Sequence, residues 1–190
     1  NDSDLWFKGD ETDSYNKLEG NPGLYQYDGQ KLSYRTFPVT PKSGNNSTYS
    51  ISTAFVKPKN GTVWFGTYGA VIGYNGSDFK IIDNEYLGFT DKTGSLHIRS
   101  IMEDSKGNLW IANNGIGVLK YDGKETINFT AQQKLKKEDT KSNSLERVFS
   151  IGEDTAGNIW FGTVEFGVWR HDGTSVKNFT TADGLESKHI

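Results

Sequence analysis

The chain has 190 residues and a formal net charge of −3 from 21 basic and 24 acidic side chains, with no cysteine. Charges of both signs are interspersed, so there is no basic stripe to track nucleic acid, and without thiols there are no disulfides, thiolate metal sites or Cys nucleophiles. Apolar residues make up only 34% of the chain, but eleven Phe, nine Tyr and five Trp supply large buried areas per ring. No run approaches the roughly 18 to 20 apolar residues of a membrane helix, and the start "NDSDLWFKGDETD" lacks the charged and apolar regions of a signal peptide.

The predicted elements repeat. Trp strands stand at 5–9 (LWFKG), 63–67 (VWFGT), 109–113 (LWIAN) and 159–163 (IWFGT). Each is followed by a run ending in a turn pair: LYQYDG at 24–29, VIGYNG at 71–76, VLKYDG at 118–123 and VWRHDG at 168–173. Ahead of the Trp, LHIRSIMEDSKGN at 96–108 matches LERVFSIGEDTAGN at 145–158, with STYSISTAFVKPKNG at 47–61 as a weaker copy; after the Gly come QKLSYRTF, SDFKIID, KETINFT and TSVKNFT. Four short runs of β-branched and aromatic residues per unit, at a period of about 40 to 50 residues, predict β-propeller blades. The expected fold is all-β: a single domain over 1–190 of four-stranded antiparallel blades, four in number, with repeats at approximately 1–46, 47–94, 95–143 and 144–190. The alternative is a partial arc of a larger propeller.

The Asp-Gly and Asn-Gly pairs suit tight hairpins because Gly accepts positive φ. Asp104 and Asp154 are placed to bond amides a few residues on and close the turn between first and second strands; a metal-binding loop is the competing reading of the same residues. The four repeated Trp are expected to fill the space between sheets, and Trp169 lies outside their register.

The segments EDSKGNLWIANNGIGVLKYDGKETINFT and EDTAGNIWFGTVEFGVWRHDGTSVKNFTTADGL resemble the two-component regulator propeller repeat, whose pattern runs E-D, G-N-L-W-x-G-T, G-L-x-x-Y-D-G, F and D-G-L. The second repeat lacks the E-D pair, and the first is stretched by an insertion. The resemblance implies a bacterial sensor domain, periplasmic or extracellular, that binds a ligand in signal transduction. It also implies no catalysis of its own.

Ile190 aligns with Ile98 and Val148, so residues 187–190 are expected to supply the inner strand beside Leu5–Gly9 and close the ring. The short repeated turns fall on one face; the long segments 10–23, 38–49, 83–95 and 131–144 fall on the other. Loops free to vary on a rigid scaffold carry binding, so the site is expected on the long-loop face. Candidate contacts are Asp13, Tyr15, Tyr68, Arg99, Asn113, Asn114, Arg147, Glu165 and Phe166. Amides, carboxylates and rings suit a small polar ligand or carbohydrate. A protein partner, including a homodimer, is the alternative, and a lyase or hydrolase a third reading. The three His form no metal or nucleophile motif, and no cofactor or metal is expected.

Overall fold

The structure is a computed structural model describing residues 4–9, 22–39, 49–57, 61–89, 96–136 and 143–190. Four antiparallel sheets follow one another along the chain. The first contains β1 (Leu5–Gly9), β2 (Gly23–Tyr27) and β3 (Leu32–Thr36); the second contains β4 (Val63–Gly66), β5 (Ala70–Tyr74) and β6 (Phe79–Asp83). The third has β7 (Ile98–Glu103), β8 (Leu109–Asn113), β9 (Val118–Tyr121) and β10 (Thr126–Asn128); the fourth has β11 (Val148–Glu153), β12 (Ile159–Thr163), β13 (Val168–His171) and β14 (Val176–Phe179). One short helix, α1 (Phe129–Gln132), is capped by Asn128.

The hairpins form because each turn satisfies its own backbone. In the third sheet Asp122 Oδ1 accepts from the amides of Lys124 and Glu125, Gly123 takes φ +96°, and the Tyr121 hydroxyl donates to the Gly123 carbonyl. Tyr27 and Tyr74 make the same bond to Gly29 and Gly76, which explains the Tyr ahead of the turn pair. His171 replaces that Tyr, and its Nδ1 lies 3.2 Å from the Ser175 carbonyl.

Inner strands differ between the halves. β7 and β11 pair along β8 and β12 with one register shift each, between Ile98 and Ser100 and between Val148 and Ser150. In the second sheet the corresponding run makes only isolated bridges, Ile51 with Thr67 and Val56 with Trp64. There the amides of Ser52 and Thr53 both donate to the Gly66 carbonyl, so the segment carries surplus residues relative to β4 and the ladder does not propagate. Among the described residues the first sheet has no inner strand.

Three cores lie between successive sheets. Leu24 and Phe37 meet Phe65 and Ile72 between the first and second. Trp64, Val71 and Ile82 meet Ile111 and Leu119 between the second and third. Trp110 and Val118 meet Phe161 and Trp169 between the third and fourth. Each fully buried side chain of this size stabilises by about 1.5 to 3 kcal/mol. Among the described residues no core joins the fourth sheet to the first, so the four blades stand as an arc. The expected pairing of residues 187–190 with Leu5–Gly9 is absent: the Ile190 amide donates instead to the Thr163 carbonyl. Ile190 nevertheless sits against Gly162 as Ile98 sits against Gly66, so its alignment with Ile98 holds in space.

Candidate functional site

On the short-turn face the repeated residues fasten the fold. Asp104 Oδ1 accepts from the amides of Lys106 and Asn108, and its Oδ2 accepts from the Trp110 indole at 2.8 Å. Asp154 repeats the set with Ala156, Asn158 and Trp160. Hydrogen bonds from Asn158, Trp160 and backbone amides hold the Asp154 carboxyl down at about 2. For Asp104 burial pushes upward, but the Trp110 and Asn108 bonds prevail and the net shift is downward. The competing metal-loop reading finds no support, because these oxygens are occupied by donors; among the described residues no group of three His, Asp or Glu could hold a metal. The preceding Glu works between blades: Glu153 accepts from the Ser105 amide and hydroxyl at 2.7 and 2.6 Å.

The opposite face, where the long loops are expected, carries a polar chain across three blades. Tyr68, exposed at the end of β4, lies against the His97 ring with centroids 5.3 Å apart. His97 Nδ1 is 3.4 Å from Asn114 Nδ2, Asn114 Oδ1 accepts from Arg147 Nε, and Arg147 pairs with Glu165. Burial, reinforced by Arg99, lowers the His97 pKa below its ordinary value, so its ring is neutral near pH 7. The register shifts of β7 and β11 fall at Arg99 and Phe149, and there the guanidinium stacks over the Phe149 ring at 4.7 Å. Bulges re-aim side chains in this way.

Two buried donors at this face, Asn113 Nδ2 and Arg99 Nε, have no acceptor among the described residues. Asn113 occupies the position of Thr67 and Thr163, whose hydroxyls close the following loop on Ala70 and Gly167. Asn113 is fully buried, and its Oδ1 accepts from the His97 amide; it supports the face from beneath. Phe166 packs on the core between the third and fourth blades. Asp13 and Tyr15 lie outside the described residues. Tyr68, Asn114, Arg147 and Glu165 lie along the polar chain, and Arg99 reaches over the Tyr68 ring at 5.9 Å. His97 and Phe149 belong with them, and their places opposite His189 and Arg99 in the repeat alignment were the available signal.

A second concavity lies on the short-turn face, a cleft of about 290 Å³ between the second and third blades, walled by Trp64, Lys80, Glu103 and Tyr121. It opens because Gly73 pairs with Trp64, where Lys120 and Arg170 cover Trp110 and Trp160. The Lys80 ammonium partly fills it, donating to the Tyr121 hydroxyl.

The two-component regulator propeller family matches residues 93–115 and 143–165, the Asn113–Asn114 and Arg147–Glu165 segments among them. These two segments carry two-component regulator propeller repeats. No curated protein matches it, but solved structures share its fold. The extracellular domain of BT4673 of B. thetaiotaomicron, described as a hybrid two-component system, aligns with TM-score 0.60 and 19% identity over 98% of this chain and 23% of that one. The corresponding domain of BT3049 gives 0.56 and 20% identity over 88% and 22%. PorZ of Porphyromonas gingivalis, a surface component of the type-IX secretion system, gives 0.57 and 16% identity over 100% and 28%. The chain thus spans about a quarter of the length of these structures. Two of these relatives are extracellular domains, and among the described residues no helix is long and apolar enough to cross a membrane.

Proposed function

We propose that the chain is a non-catalytic, sensor-type propeller module acting outside the cytoplasm, which takes a small polar ligand or carbohydrate on its long-loop face. The observation that carries this reading is the chain of side chains across three blades, Tyr68, His97, Asn114, Arg147 and Glu165, which presents an aromatic ring beside amide, guanidinium and carboxylate groups. Tyr68 offers an apolar ring face beside them, the combination that suits a sugar or an aliphatic acid. A ligand that binds only the folded state raises the unfolding midpoint. A thermal-shift screen of sugars and organic acids is therefore expected to give at least one stabilising compound, with the shift lost in Tyr68→Ala and Arg147→Ala. A flat screen, or a shift both variants keep, sinks the assignment to this face.

A further inference from the structure

Arg99 is a cation without an anion among the described residues. It lies on β7 at the register shift between Ile98 and Ser100 and is half-buried. Its guanidinium stands over the Phe149 ring of the fourth blade at 4.7 Å and over the Tyr68 ring of the second at 5.9 Å. Blades of this chain therefore flank it on both sides. Among the described residues no carboxylate pairs with it; the ion pair of this face joins Arg147 to Glu165 instead. Its Nε is enclosed, so a ligand would meet the guanidinium at its terminal amino groups.

The neighbouring repeats show that the strand does not require a charge at this place. The shift in β11 puts Phe149 at the same repeat position, and the second blade has Ser52 there, next to the Ile51 that bridges Thr67. Held between two rings, a guanidinium keeps its charge, and its planar fork is fixed before a ligand arrives. A partly enclosed cation with no counter-ion is poorly compensated. A carboxylate supplies the missing charge through two parallel hydrogen bonds. His97, two residues back, adds no charge, because burial and Arg99 itself lower its pKa.

We propose that Arg99 anchors a carboxylate, so that the ligand of this face is a small anion rather than a neutral sugar. The inference rests on the reading of this face as a ligand site and narrows it to one charge class. The carboxylate takes the terminal amino groups of Arg99, and the Tyr68 ring lies against the uncharged part. An acidic sugar and an open-chain hydroxy acid share this chemistry.

The test is calorimetric titration of the 190-residue protein with two matched pairs, glucuronate against glucose and gluconate against sorbitol. Within each pair only a carboxylate replaces a hydroxymethyl group, and the two pairs separate a ring sugar from an open chain. At least one acid is expected to bind about tenfold or more tightly than its neutral partner. Arg99→Gln should erase that preference with circular dichroism unchanged. Arg99→Lys, which keeps the charge but loses the fork, should retain part of it. In NMR spectra the bound acid should move the Arg99 Nε–H resonance. Neutral partners that bind as tightly as their acids overturn the proposal and leave the sensor reading of the face intact. A preference that survives Arg99→Gln also overturns it and assigns the charge to Arg147. Binding by none of the four compounds overturns it as well, and the wider screen of sugars and organic acids then decides the sensor reading separately.

Discussion

The first and third blades contain the same Trp strand, but among the described residues it has a neighbour on both sides only in the third. Trp110 is held by Asp104, lies between two sheets and has β7 along one side of its strand. Trp6 has a buried Nε1 without an acceptor among the described residues, and β1 pairs only with β2. In the third blade the segment ahead of the Trp supplies both the inner strand and the Asp that secures the indole.

Matched substitutions at one repeat position give the largest contrast. Phe161→Ala empties a fully buried site and should lose about 3 to 5 kcal/mol in urea denaturation, whereas Phe7→Ala, at a half-exposed position, should cost less than about 1 kcal/mol. Equal losses would show that the first blade is already packed. Asp104→Ala should follow at about 1 to 3 kcal/mol, because it strands the Trp110 Nε1 in a site only 2% exposed. Glu153→Ala is smaller, below about 1 kcal/mol for a surface contact. Its signature is a broader transition, since it cuts the tie to Ser105 and the third and fourth blades then unfold less as one unit.

Protonation gives the finest test. Asp154 and Asp172 have folded pKa values of about 2 against 3.8 in the unfolded chain, so the stability they lend is complete above 3.8 and disappears as pH falls through about 2. NMR titration should find both midpoints near 2, and the Trp160→Phe change should raise that of Asp154. His97 shifts downward through burial, then Arg99, so the unfolded chain takes up its proton first; stability should fall as pH drops below about 6.5, and His97→Gln should remove that decline.

The blade count and the hairpins were legible because Trp spacing and turn pairs are local signals. The inner strand of the second blade was not, because the surplus at Ser52 and Thr53 is a register property that appears only against Gly66. Candidate contacts could be named from loops and inner strands, and Tyr68, Asn114, Arg147 and Glu165 lie along one polar chain. The burial of Asn113 and the stacking of Arg99 on Phe149 depend on neighbouring blades, and no single repeat encodes that distance. The Trp110 and Asp104 bond escaped for the opposite reason: six residues apart, each had a sufficient separate explanation.

The Glu-Asp pair at 153 and 154 has a consequence for how such arrays grow. One residue grips the unit's own indole and the other grips the turn of the unit before it. A tandem gene duplication that copies the dipeptide therefore delivers a new blade with its internal clasp and its attachment to its elder sibling together, so lengthening the array requires no matching mutation elsewhere.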